Sequence, residues 1–368
     1  MKNANQDGRL SACPILNRHF LFGLLAAFLA ACPALPAIAQ DANLELNPDS
    51  VPTNTVIATV PLGGSPGSIV VNKKDTFVYV VTASNVISEI DTSTNAVVAT
   101  WSAGTNAAGL AITPDGKQLY VTNITSPGGV TILDASTGAV LKTIPITTGE
   151  PLLPQISPNG KFAYVPSLVP GGPSTGHVTV INTATQEIKK TISAGTTAYD
   201  VAFNRSGSLA YVADPENASV VVIDTANLKV THTVAIGGLD EFVVVNPVTN
   251  DVFVPYLTVP SFPIAFNAIA VIRGNKVIKN LSTPANNFIG SLGFTPNGKY
   301  AYVPNSDFNG AASNYVYLID TKTYETVGTQ IQVGTAPEIV VVAHNGEYAY
   351  VGNAQSNSIS VIKISPKQ

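Results

Sequence analysis

Seven copies of one short pattern constrain this chain more than any other feature of its sequence. An aromatic residue followed by Val sits just after a turn signal and just before a second apolar run: Tyr79-Val80, Tyr120-Val121, Tyr164-Val165, Tyr211-Val212, Phe253-Val254, Tyr302-Val303 and Tyr350-Val351. The copies start at positions 79, 120, 164, 211, 253, 302 and 350, which spaces them by 41 to 49 residues. Within a copy the apolar residues alternate with period two over short runs, where solenoid helices would show a 3.6-residue period. A repeat of about 40 to 50 residues carrying several short strands is the signature of propeller blades. The sequence therefore predicts an all-β chain, a seven-bladed β-propeller of four-stranded antiparallel blades.

Blade two shows the expected anatomy, with strands A to D running from the axis outward. Strand A, 109–112, ends at Pro114-Asp115-Gly116, where Pro presets φ and Gly accepts the left-handed conformation. Strand B, 118–122, carries the Tyr-Val pair; strand C, 129–133, alternates as a strand covered on both faces should; strand D, 140–146, is the outer edge. Lys142, and in later blades Lys189, Lys190, Lys229 and Lys279, put a charge on that edge, which discourages pairing with another molecule. The chain ends give the architectural argument. The last repeat supplies A (338–342), B (347–352) and C (358–364) and then stops, while 55–62 reads as a strand D standing ahead of blade one. The N-terminal strand is expected to close the seventh blade, so the propeller spans 53–366.

The first 39 residues differ in kind. Lys2, Arg9 and Arg18 precede an apolar run at 20–31, and Ala37-Ile38-Ala39 forms a small-x-small cleavage site, which together read as a signal peptide. The run falls short of the roughly 20 apolar residues of a spanning helix, so no transmembrane segment is expected. The exported protein would be periplasmic or extracellular, with 40–52 as a linker. Leu29-Ala30-Ala31-Cys32 keeps an alternative open, a lipoprotein anchored at Cys32. With Cys13 removed either way, no disulfide framework or Cys metal cluster is available. A formal charge of -4 gives no footprint for nucleic acid, and the chain is expected to act as a monomer.

Tyr120-Val121-Thr122-Asn123, the Asp-Gly turn before it and the Ile-Asp-Thr runs at 90–92, 223–225 and 319–321 resemble the YVTN β-propeller repeat. The resemblance covers nearly all of the exported chain and implies the fold. Similar propellers occur in bacterial and archaeal surface proteins, in lactonases, and beside haem or quinone centres in periplasmic oxidoreductases, so it implies no single chemistry. Blade five departs most, with Phe253 for Tyr and Arg273-Gly274-Asn275 for Ile-Asp-Thr.

Most polar motifs read as turn chemistry. Asp91, Asp134, Asp224 and Asp320 recur at the C to D turn, where a carboxylate caps following backbone N–H groups, and Asn123, Asn305 and Asn353 recur at the end of strand B. Gly63-Gly64-Ser65-Pro66-Gly67 matches G-x-S-x-G but lacks the strand–elbow–helix context. Asp307-Phe308-Asn309-Gly310 resembles the start of a calcium loop, and Ca²⁺ is left open there and among the carboxylates of the central opening; no other cofactor is identified. His177, His232 and His344 fall in a B to C loop, an outer strand and an A to B turn, too scattered to converge as ligands.

The D to A and B to C loops gather on one face, called top. They hold Glu150, Asp200, Asp214, Glu216, Asp240, Glu241, Asp307 and Glu338, and none of the Lys or Arg residues beyond the signal segment maps there. Long B to C loops in blades three, five and six add aromatic residues, and long loops on a rigid scaffold are where binding is placed. The candidate binding residues are Glu150, Tyr199, Asp200, Glu241, Glu338, Tyr256, Phe262, Phe266, Asp307 and Phe308, with the carboxylates converging on the central opening. The leading expectation is an exported, non-enzymatic binding or scaffold propeller that engages a protein or cell-envelope ligand. Its alternatives are a hydrolase resembling propeller lactonases and a partner domain of a periplasmic oxidoreductase.

Overall fold

The computed structural model describes residues 51–125, 128–169, 175–258, 266–283, 289–306 and 314–365, all within one compact unit spanning 43–368. The segment 1–39 with Cys32, the linker up to residue 50, and Phe262, Asp307 and Phe308 lie outside the described residues.

Blade two forms as its sequence dictates. Ala107–Ile112, Gln118–Asn123, Gly128–Asp134 and Val140–Ile146 pair in order as an antiparallel meander. The Gly116 N–H donates to the Thr113 carbonyl at 2.8 Å, and Gly116 takes φ +73°, a left-handed value that favours a residue without Cβ. Successive residues of strand B point to opposite faces. Tyr120 therefore packs toward blade three with Ile132, Ile156, Val165 and Ile181, while Val121 packs toward blade one with Tyr79, Ile87 and Leu110. The repeated Tyr-Val pair is thus the cement between blades, and Tyr120, Tyr164, Tyr302, Tyr350 and Phe253 are among the largest fully buried side chains.

Six further sheets repeat this plan, each with its strands ordered from the axis outward. The seventh is closed by Thr53–Pro61, which pairs antiparallel with Ser358–Ser365 from Thr53–Ser365 through Pro61–Ser358. Val60 buries into the core shared with blade one, alongside Ile69, Val80 and Ile359, and Tyr302 of blade six donates its phenol hydrogen to Asn54 Oδ1 at 2.6 Å. On the bottom face the junction of blades seven and one is fixed by Asp75. Its carboxylate accepts from the backbone N–H groups of His344 and Asn345 at 2.8 and 2.9 Å and meets His344 Nδ1 at 2.9 Å.

The recurring aspartates cap turns as expected: Asp134 Oδ1 accepts from the backbone and hydroxyls of Ser136 and Thr137, and Asp91, Asp224 and Asp320 accept equivalent backbone bonds. At the same register Arg273 of blade five instead grips Asp251 with two bonds of 2.7 Å.

Inner strands are not uniform, and proline explains part of the difference. Blades one, two and seven have unbroken six-residue inner strands. In blades three and five the inner strand splits into Glu150–Pro151 with Gln155–Ile156, and Leu239–Asp240 with Val244–Val245. Both breaks lie opposite a Val-Pro pair of strand B, Val165-Pro166 and Val254-Pro255. Proline has no N–H to give the ladder, so the inner chain leaves it there and rejoins beyond.

Candidate functional site

The inner strands enclose a channel along the propeller axis, a cavity of about 670 Å³ walled by every blade, with Gly67, Leu110, Leu153, Val201, Val244, Gly293 and Val340 among its lining residues. Lys73, Pro114, Pro158, Pro247 and His344 line it toward the bottom turns, and Asp200, Phe242 and Ser291 toward the top. The walls are mostly aliphatic and backbone, so polarity concentrates at the ends.

Asp200 sits where the top loop of blade four enters its inner strand, Val201–Phe203. Its carboxylate accepts from the Val201 N–H at 2.8 Å and from the Val243 N–H of blade five at 3.1 Å, bridging two inner strands. Enclosure by protein outweighs these two amides and pushes the carboxyl up to about 7, although the side chain keeps partial access along the channel. Tyr199 and Phe242 meet edge to face beside it, with ring centres 6.3 Å apart.

Glu338 opens the inner strand of blade seven, Pro337–Val342, which is locked against blade six by the Val340 N–H donating to the Ser291 carbonyl at 3.0 Å. Gly290 approaches so closely that an added Cβ would collide with the Glu338 carbonyl. Enclosure pushes the Glu338 carboxyl up to about 7, and the neighbouring charge of Glu241 pushes in the same direction. Glu241 also acts on Asp240, so one carboxylate couples the acidic groups of blades five and seven.

Asp240 itself is fully buried opposite Tyr256, and among the described residues neither of its carboxylate oxygens has a hydrogen-bond partner of good geometry, the backbone N–H groups of Asp240 and Asp214 being the nearest donors. Burial, opposed by the backbone amides of Asp240 and Asp214 and reinforced by the charges of Asp214 and Glu241, pushes it up to about 8. Asp214 is also fully buried but satisfied. It accepts from the backbone N–H groups of Thr196 and Thr197 at 3.0 and 2.7 Å and from Asn217 Nδ2 at 2.8 Å, which ties the end of strand B to the loop entering its own blade.

Several expected site residues stand elsewhere. Glu150 belongs to the first piece of the split strand of blade three, facing Leu168 and packed against blade two, so it does not line the channel. Tyr256 is not a loop residue: strand B of blade five runs from Val252 to Thr258, and Tyr256 is buried within it among Tyr211, Val243 and Val254. Phe266 likewise begins strand C, Phe266–Arg273. Asp214 and Asp240 contribute no exposed charge to the top face. For Tyr256 the reason is that blades three, five and six extend strand B by a residue compared with the others, so the long loop of blade five begins later than composition suggests. Among the described residues no group of three or more His, Cys, Asp or Glu is placed to hold a metal, and the expected calcium loop lies outside the described residues. Phe242 was not among the expected residues; its signal is the apolar aromatic directly after Asp240-Glu241 at a strand entry.

Residues 55–150 match the Cytochrome D1 heme domain. A seven-bladed β-propeller protein of Mycobacterium tuberculosis is 28% identical over 296 residues, 70% of this chain and 72% of that protein. Among solved structures, a chain of Kuenenia stuttgartiensis hydrazine synthase superposes with a TM-score of 0.71 at 19% identity, covering 89% of this chain and 99% of that one. The Cps50 (Swd1) β-propeller domain of Myceliophteria thermophila gives a TM-score of 0.65 at 9% identity, covering 85% and 100%. At such identities the structural likenesses speak for the seven-bladed propeller alone. The stretch matching the heme domain contains no His, Met or Cys, so it brings none of the usual His, Met or Cys ligands of heme iron.

Proposed function

We propose that this chain is an exported binding propeller that engages a protein or cell-envelope ligand through the top mouth of its channel, as the YVTN-like repeat and the N-terminal signal pattern suggest. The observation that carries this reading is a set of carboxyls beside that mouth: Asp200 lines the channel and bridges blades four and five, while Glu241 and Glu338, which act on each other electrostatically, are the sequence neighbours of the lining residues Phe242 and Ile339. Blades one and two place Gly67 and Ala107 at their inner-strand entries, so the fold itself does not require acids there. Asp200 and Glu338, enclosed carboxyls whose pKa lies near 7, donate to a neutral ligand when protonated and pair with a cationic one when ionised, while they repel an anion. Tyr199 and Phe242 add an aromatic edge for the ligand's apolar part. Fluorescence anisotropy with labelled oligolysine and oligoglutamate tests the charge selection. Oligolysine should bind, more weakly as salt rises, and lose affinity in Glu241→Gln/Glu338→Gln; tight binding of oligoglutamate at the mouth contradicts the reading.

The match to the heme domain favours a second reading, a partner domain that docks on a separate heme- or quinone-bearing subunit. In that case the ligand at the mouth is a redox protein, and purified chain alone should show no heme-dependent absorbance after incubation with hemin. A stoichiometric shifted Soret band held by the isolated chain contradicts a purely docking role.

A further inference from the structure

Register exposes one residue that the fold does not explain. In strand B the aromatic residue of each Tyr-Val or Phe-Val pair faces a residue of strand C directly across the ladder. The partners are Ile132 for Tyr120, Val180 for Tyr164, Val222 for Tyr211, Val271 for Phe253, Leu318 for Tyr302 and Val361 for Tyr350. In blade one alone the partner is a carboxylate: Tyr79 faces Glu89. Glu89 is 8% exposed, at a position where six other blades bury an aliphatic side chain. A carboxyl buried where an aliphatic serves equally well weakens the core, and such groups gather where a ligand is handled.

A cavity opens beside it. Between blades one and two, on the bottom face, a cleft of about 570 Å³ is lined by Glu89, Tyr79 and Phe77, with Lys73, Lys74 and Asp115 on the turns that border it. Asp115 is already engaged by Thr113 Oγ1 at 2.6 Å and the Lys117 N–H at 3.1 Å, whereas Lys73 and Lys74 are exposed. At the base, the Tyr79 hydroxyl lies 3.1 Å from Glu89 Oε1 and 3.1 Å from the Ala135 carbonyl. A phenol has one hydrogen and cannot donate to both. Both contacts are satisfied when Glu89 is protonated, donating to Tyr79 while Tyr79 donates to Ala135. Burial pushes the Glu89 carboxyl up, in keeping with that arrangement, and Tyr79 is held from behind by Trp101, stacked at 5.9 Å.

We propose that this cleft binds a small organic zwitterion, with an amine or guanidinium paired to Glu89 at the base and a carboxylate held by Lys73 and Lys74 at the rim. The aromatic walls suit a cationic head, since Phe77 and Tyr79 present ring surface beside the carboxylate. The arriving cation takes the place of the Glu89 proton, which leaves to solvent, so the buried charge is paired in the complex. This site lies on the face opposite the mouth and is independent of the reading given for it.

Titration calorimetry of the exported chain with L-arginine, agmatine and 4-guanidinobutyrate tests the proposal. L-arginine and 4-guanidinobutyrate should bind saturably and agmatine, which lacks the carboxylate, more weakly. Glu89→Gln and Glu89→Val should each reduce arginine affinity by about tenfold or more. Glu89→Val, which installs the Tyr-Val pair already present in blades three, four and seven, should melt at or above the wild-type temperature. Lys73→Gln/Lys74→Gln should erase the preference for the carboxylate-bearing probes. The proposal is overturned if no probe saturates below about 10 mM, if arginine binds Glu89→Val as well as wild type, or if Glu89→Val melts well below wild type and so shows Glu89 to be needed by the fold.

Discussion

Closure of the ring by the N-terminal strand makes a quantitative demand on two residues three positions apart. Val60 is 2% exposed and packs with Ile69, Val80 and Ile359 across the junction of blades seven and one, whereas Ile57 on the same strand is 45% exposed. Val60→Ala removes two buried methyl groups and leaves part of their volume empty. At about 0.8 kcal/mol per buried carbon plus a cavity contribution, the cost is about 2 kcal/mol. A loss of that size lowers the melting temperature by about 3 °C in a domain of about 300 residues. Ile57→Ala truncates a side chain that is nearly half exposed and should cost clearly less, below about 1 kcal/mol. Differential scanning calorimetry of both variants is the assay. If Val60→Ala melts within about 1 °C of wild type, or if the two variants lose equally, residues 53–61 are not part of the core and the closure argument fails.

Deleting residues 51–62 removes the whole closing strand and should lower the melting temperature well beyond Val60→Ala; a midpoint equal to that of the undeleted chain would show the strand to be dispensable. Asp240 predicts a pH dependence: its folded pKa of about 8 lies above the ordinary 3.8, so its contribution is complete below pH 4 and is lost as pH rises toward 8. Asp240→Asn should therefore melt above wild type at pH 8 and close to it at pH 4, and an unchanged difference across that range would contradict a buried carboxyl with a raised pKa. Gly290→Ala forces a Cβ against the Glu338 carbonyl and should cost about 1 to 3 kcal/mol by urea unfolding; a neutral result would mean that blades six and seven do not approach as closely as described.

The fold was legible because its main determinants are local and repeated. The Tyr-Val pair, the Pro-Asp-Gly turn at 114–116 and the capping aspartates each specify their geometry within a few residues, and repetition seven times over removes the ambiguity of any one copy. Closure was legible from arithmetic at the chain ends. The site was less so. Tyr256 and Phe266 look like loop aromatics because their neighbours include Pro255 and Pro260, yet strands of blade five extend over both. Asp214 and Asp240 count as surface charge in a sequence but are buried between neighbouring segments, because what encloses them comes from loops 17 to 26 residues distant. Glu89 is invisible to motif searches and becomes conspicuous only when strand register sets it beside its six aliphatic counterparts.

The central claim is that the top mouth is where this propeller binds. The most direct measurement is photo-cross-linking from p-benzoyl-phenylalanine placed at Tyr199 in the purified chain, exposed to cell-envelope extract, with and without Glu241→Gln/Glu338→Gln. The account predicts a discrete cross-linked partner whose yield falls sharply in the double variant and which is not captured from the same probe placed at Val98 on the outer edge of blade one. Equal capture from Val98, or a yield at Tyr199 unaffected by neutralising Glu241 and Glu338, would contradict it.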